Sequence, residues 1–221
     1  VTILRLKQSN KQKTIKLGQA NKHGERSMEQ TTQNNSSELV ILEGQIRECY
    51  GRVVYTHKTH EKCSDQRVKE QHRLKLSQII FSAITTCGLI VVIFGNPEAS
   101  KVSAILSALF SASLFALNTY TKETDYGALA QKHKQTASKL WDVRESYLSL
   151  LTDLKMNCLS CESARNKRDA LQKILVEIYE DAPRTTYSSY RDASGGLKNK
   201  EELTFSDGEI DKFLPVELKR T

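Results

Sequence analysis

Two uninterrupted apolar runs sit in the middle of a chain that is otherwise polar. Leu76 to Pro97 is a stretch of 22 residues without a charge, and Val102 to Thr121 is another of 20. Lys75 and Glu98 bracket the first run, Lys101 and Lys122 the second. A bilayer core about 30 Å thick needs roughly 20 helical residues, and both runs satisfy that. The link from Gly95 to Lys101 is short and carries Asn96-Pro97, a strong helix breaker. The pattern predicts a transmembrane helical hairpin with spans at about 76–95 and 102–121. The competing reading, a buried hairpin in a soluble bundle, needs a large apolar shell. The rest of the chain is too polar to supply one.

Outside the runs, apolar positions alternate in steps of three and four, the signature of a helical seam. Before the hairpin the seam is Leu39, Leu42, Ile46, Cys49, Val53, Thr56, His60 and Cys63, in a helix predicted over 36–75 with Ser36 or Ser37 as its cap. After the hairpin it is Tyr126, Leu129, His133, Thr136, Leu140, Val143, Tyr147, Leu150 and Leu154. Joined by a hairpin, the two seams run antiparallel. At 1.5 Å per residue, His60 and His133 lie at similar depths, roughly 24 and 20 Å from the membrane boundary. They read first as polar, register-setting positions, and secondly as a pH or ligand switch. A further helix is predicted at 162–181, ended by Pro183. Residues 184–204 are polar, contain Gly195-Gly196, and read as a loop or extended arm. Ser206-Asp207-Gly208-Glu209 is a capping box that starts a short amphipathic helix with Ile210, Phe213 and Leu214, expected to dock onto the bundle.

Charge then sets orientation. Lys58, Lys62, Arg67, Lys69, Arg73 and Lys75 precede the first span, and Lys122, Lys132, Lys134 and Lys139 follow the second. The connecting turn has Lys101 alone. Ten cations against one place both termini in the cytoplasm. The net charge of +7 is concentrated at the N-terminus, where residues 1–27 hold seven basic residues against Glu25. That arm, 1–35, reads as disordered. It reads as a tail without a function of its own or as sequence upstream of a start at Met28, with a nucleic-acid-binding arm as the alternative. With 10 Gly and 3 Pro, the composition argues against a turn-rich α/β enzyme or a β-barrel. Five irregularly spaced cysteines suggest a reducing compartment rather than a disulfide framework.

Catalytic chemistry is hard to find. No phosphate-binding loop, zinc-protease helix or nucleophile elbow occurs. Cys158 and Cys161 have metal-like spacing, but neither a second pair nor a downstream histidine completes a site. No enzyme, cofactor or metal is expected. The spans carry the better signal. Ser103, Ser107 and Ser111, with Ala104, Ala108, Ala112 and Ala116, form a small-residue stripe. Ser82, Thr85, Thr86 and Gly88 add small and hydroxyl residues in the first span. Such residues let helices approach closely; in an oligomer, some of the hydroxyls, with Asn118, would line a pore. The absence of ionisable groups within the spans argues against an ion-coupled relay.

The order of elements resembles the SLATT domain, a bacterial two-transmembrane effector domain. The residues that carry the likeness are Asn118-Thr119-Tyr120, Tyr126, Leu129-Ala130, His133, Leu140-Trp141, Arg144 and Tyr147. The tail from Thr204 to Pro215 is similar to that of the subfamily found beside reverse transcriptases. The resemblance covers about residues 38–216. It implies an all-α membrane protein: a hairpin flanked by long cytoplasmic helices in an antiparallel coiled-coil-like bundle over 36–181, with a C-terminal extension over 182–221. It also implies a membrane effector of an antiphage system, homo-oligomeric and pore-forming. The trigger would be a sensor, or a reverse transcriptase or nucleotidyltransferase encoded nearby. The alternative is a membrane anchor that recruits a cytoplasmic partner. The expected location is the bacterial inner membrane, and direct nucleic-acid binding is not expected.

Overall fold

Proline is missing from the first 96 residues, and without it nothing stops a helix there. The computed structural model describes the backbone of residues 2–216, 219 and 220, and side chains within that range from Ser37 onward. Among the described residues the fold is all-α, with α1 Thr2–Phe94, α2 Pro97–Glu123, α3 Tyr126–Lys155, α4 Cys161–Asp181, α5 Tyr187–Asn199 and α6 Asp207–Asp211. The arm expected to be disordered is helical backbone within α1, in keeping with its many Lys, Gln and Glu residues. Its side chains lie outside the described residues.

The breaks between helices have local causes. Asn96 caps α2, its side-chain oxygen accepting from Ala99 N at 2.9 Å, and Pro97 occupies the first turn. Asp125 accepts from Ala128 N at 2.8 Å, so α3 starts after a break of only two residues, Thr124 and Asp125. Asn157 turns the chain after α3 with φ 55°, a left-handed conformation that Asn tolerates. Ser206 and Glu209 form the capping box of α6.

Two compact units result. One comprises Val1–Tyr50 with Ser146–Gln172, the other Gly51–Glu145 with Lys173–Thr221. In the first, Leu42, Ile46 and Cys49 of α1, Tyr147, Leu150 and Leu154 of α3 and Ala164 of α4 are all buried. The α4 segment is tied to α1 by Arg168 donating to Gln45 and Gln172 donating to Cys49 Sγ.

In the second unit, α1 packs antiparallel to both α2 and the first half of α3. The α1–α3 pairing buries Val53, His57, His60 and Cys63 with Ala130, His133, Thr136, Ala137, Leu140 and Val143. Ser64 Oγ donates to Ala130 O at 3.0 Å across the pair. The stretch expected as a loop over 184–204 is largely α5. Thr186 caps it, and tertiary packing overrides the low helix propensity of its glycines. Ser189, Ala193 and Gly196 are buried, and Ser189 Oγ donates to Gln66 of α1 at 2.8 Å. The expected docking of α6 through its apolar residues is not what the structure has. Ile210 and Phe213 are exposed, and the buried residue is Asp211, which accepts from the Arg220 backbone N–H. A five-residue helix offers one face, and here the carboxylate occupies it.

The hairpin itself closes on a glycine. Phe81 meets Phe110 edge-on with centroids 5.4 Å apart, and Ser103 Oγ donates to the Gly88 carbonyl at 2.9 Å. A Cβ built on Gly88 would lie 2.0 Å from Ser107 Oγ but 3.4 Å from Ser107 Cβ. The clash is therefore with the hydroxyl, not the backbone. Gly88→Ala is expected to destabilise the hairpin by about 1–3 kcal/mol, the usual range for overpacking. Ser107→Ala in the same chain should restore most of that loss. Melting temperatures of the two single variants and the double, measured in detergent, check the coupling. Additive losses would place the two residues apart.

Candidate functional site

The apolar runs form the C-terminal part of α1 and nearly all of α2, and each helix is long and apolar enough to cross a membrane. None of the apolar stretch of α1 is buried within the chain, and only 6% of that of α2. Ile79, Ile93, Phe94, Val102, Ile105, Leu109 and Phe115 are each at least 60% exposed. Burying one such side chain is worth about 1.5–3 kcal/mol. Leaving this many in water would cost on the order of 10 kcal/mol or more, so the outer surface of the hairpin needs an apolar environment.

The hydroxyl and small residues of the spans divide into two sets. Facing inward, Ser107 is buried and Thr85 and Ser103 are half-buried. Thr85 Oγ1 donates back to Phe81 O, and Ser107 Oγ has no hydrogen-bond partner among the described residues. Facing outward, Ser82, Thr86, Ala108, Ser111 and Ala112 are exposed. Thr86 satisfies its hydroxyl on Ser82 O at 2.9 Å, a bond that lets a threonine sit in an apolar medium. Asn118 is at the end of the hairpin next to the polar bundle, where Gln78 Nε2 donates to its side-chain oxygen at 3.0 Å and lies 3.3 Å from Thr121 Oγ1.

Beneath the hairpin, the α1–α3 pair carries an unusual polar layer. His60 Nδ1 and His133 Nδ1 are 2.9 Å apart, and each residue is about 2% exposed or less. A hydrogen bond between two Nδ1 atoms requires one ring to donate and the other to accept. Burial pushes both pKa values below the ordinary histidine range. The mutual repulsion of the rings and the nearby His57 take His60 to about 4, and Arg67 adds to the effect of burial on His133. His57 is also buried and its pKa is lowered. Desolvation outweighs the pull of Glu61, whose Oε1 is 3.7 Å from His57 Nε2. His57 Nδ1 has no partner among the described residues.

The seam residues fall as follows. Leu42, Ile46, His60, His133, Leu140, Val143, Tyr147 and Leu150 are buried, whereas Leu39 and Leu129 are half-buried. Near His60 the buried position is His57 rather than Thr56, and next to Leu129 it is Ala130. Cys158 is exposed, and Cys161 Sγ lies 3.9 Å from Glu38 and 3.8 Å from Arg165. Among the described residues no group of three His, Cys, Asp or Glu converges as metal ligands would.

Two features have little sequence signature. One is Gln78 meeting Asn118 at the rim of the hairpin. The other is Glu202, whose carboxylate is 2.7 Å from Lys58 and 3.1 Å from Lys62. Glu201 and Leu203 flank it in left-handed conformations, φ 52° and 76°, which cost energy in non-glycine residues.

A family model described as "SMODS and SLOG-associating 2TM effector domain family 4" matches residues 42–209. The chain belongs to this SLATT family. The match takes in both apolar helices, the histidine layer, α4, α5 and part of α6. No curated protein and no solved structure matches the chain.

The Glu202 contact yields a pH prediction. The hydrogen bonds from Lys58 and then Lys62 hold its carboxyl at a pKa of about 2. A depressed carboxylate pKa adds stability that is present above the unfolded value, near 4.5, and lost as pH falls towards 2. Burial works against the charge on Lys58, but its bonds to Glu202 and Glu61 win and raise its pKa, so both partners are charged at neutral pH. Glu202→Gln should therefore lower stability by about 1 kcal/mol at pH 7, the solvent-screened worth of the pairs, and by much less near pH 2. Urea unfolding at the two pH values measures the difference.

Proposed function

We propose that this SLATT-family chain is the membrane effector of a bacterial conflict system, and that several copies associate through their hairpins to open a pore. The observation that carries the reading is the division of the spans. The inward set closes the hairpin on itself, which leaves an outward face bearing Ser82, Thr86, Ala108, Ser111 and Ala112. Small residues on an outer face let a second helix approach closely, and one hairpin cannot enclose a channel. The cation bias across the spans supports a topology with both termini in the cytoplasm, and hence residence in the inner membrane.

The family's description as SMODS- and SLOG-associating supports a trigger delivered by a separate sensor or nucleotide-producing protein. A neighbouring reverse transcriptase, suggested by the tail from Thr204 to Pro215, is the narrower form of the same idea. The outcome would be loss of membrane potential and growth arrest. The rival role, an anchor that recruits a cytoplasmic partner, draws support from α5 and the contact of Glu202 with Lys58 and Lys62, which a simple pore does not need.

The outward alanines separate the two roles. Ala108→Leu or Ala112→Leu adds volume where the monomer has free space, so insertion and hairpin closure should survive. Induced expression with a potential-sensitive dye should then report normal membrane abundance and at least a tenfold loss of depolarisation. An unrelated hairpin of equal length substituted at 76–121 should be inactive. Growth arrest retained by that swapped protein, once inserted and triggered, would leave the anchor role.

A further inference from the structure

We propose that the His60–His133 contact is a proton-operated latch, holding α1 against α3 while the two rings carry at most one proton and releasing them when both are charged. The proposal rests on the contact's geometry and does not require a pore.

Two imidazole Nδ1 atoms 2.9 Å apart share one hydrogen. With the pair neutral, one Nδ1–H donates to the other's lone pair. With one added proton, an imidazolium still donates to a neutral ring, provided the neutral ring keeps its Nδ1 lone pair. With two, both Nδ1 atoms are donors, the bond is lost, and two like charges face each other in a buried layer. The contact therefore breaks at a defined protonation state, not gradually. A rotation within the pair does not relieve it easily, because the rings are packed 5.1 Å apart between centroids and almost fully buried.

The surroundings oppose charge from both helices. On α1, His57 acts against a proton on His60, and Arg67 acts against one on His133. Arg67 itself lies over the Tyr126 ring of the α3 start at 5.6 Å and pairs with Glu70 at 2.7 Å. Around His57 stand Glu61 and Lys58 of α1, and Arg144 and Glu145 of α3. The carboxylates there are shared: Glu61 is 2.9 Å from Lys58, and Glu145 is 2.6 Å from Arg144. From the C-terminal segment, Glu202 is taken up by Lys58 and Lys62.

The sign follows from linkage. The folded-state pKa of each histidine is lowered, so the closed layer is fully favoured above about pH 6.5 and loses ground as pH falls towards 4. At pH 5.5 release of His60 to water shifts the closed-to-open ratio by about tenfold, and release of His133 acts in the same direction. Opening at this level would part α1 from α3 roughly 20 Å below the ends of the two apolar runs.

The test uses the full chain in lipid nanodiscs with 15N-labelled histidine. His60→Asn and His133→Asn single variants assign the two imidazoles among the five histidines. The His60 resonance is expected to stay neutral to below pH 5, and the His133 resonance to titrate below the ordinary histidine range. Amide protection across 130–140, corrected for intrinsic exchange, should fall at least tenfold between pH 7.5 and 5.5. In the His60→Asn, His133→Asn double variant, two amides can bond across the layer without titrating, so the protection should be flat over that range. Ordinary titration near pH 6.5 with unchanged protection overturns the latch. So does an undiminished pH dependence in the double variant. Should that variant not fold, the parent's imidazole shifts and exchange decide the question between them.

Discussion

In the second unit, a line of inward positions on α1 does the organising. It passes through Val53, His57, His60, Cys63 and Gln78 to Phe81, Thr85 and Gly88, in steps of three and four, with a break where the helix approaches the hairpin. Each position meets the chain returning on α2 or α3. The spacing fixes which face of α1 is used, but the residue type along the line changes completely. Near the hairpin turn it is glycine and hydroxyls against serines, so the backbones can approach closely. Further along it is valine, histidine and cysteine against histidine, threonine and alanine of α3. One geometric rule thus serves two solvents, because seam packing depends on shape whereas the outer faces must match their surroundings.

The change of residue type has an energetic cost. A Leu pair at the level of His60 and His133 would bury as much surface without the desolvation that depresses both histidine pKa values. Buried polar groups fix register better than apolar ones, since only one alignment satisfies them. The 2.9 Å contact is such an alignment: a shift of one residue along either helix removes it. Ser64 donating to the Ala130 carbonyl constrains the same register one turn along. The α1–α3 pair is therefore specified by polar matches and only partly by apolar burial.

Much of this was legible in the sequence. The two uncharged runs, the Asn96-Pro97 break and the seam periodicity depend on residue type and spacing alone, and they place the hairpin and the antiparallel return. The depth argument that puts His60 level with His133 needs only the rise per residue. The details that escaped depend on contacts between distant segments. Thr56 and His57 are adjacent on the helix, and only the position of α3 decides which is buried. α5 was hidden by Gly195-Gly196, because its stability comes from Gln66 and the close approach permitted at Gly196, not from local propensity. The exposure of Ile210 and Phe213 contradicts an amphipathic reading because five residues give too little helix to set a face.

The small-residue stripe shows the same limit most clearly. In sequence, Ser103, Ser107 and Ser111 are equivalent members of one four-residue repeat. In the fold, the first two close the hairpin and the third is exposed, because the seam advances in alternating threes and fours and leaves a strict repeat of four behind. Seven residues along the seam are two turns, but eight residues along the stripe are two turns and a further part of one. The stripe therefore rotates across the helix, from the partner helix towards open surface. That drift splits a single run of small residues in two: its first members hold one chain's hairpin together, and its later members lie exposed on the outer surface.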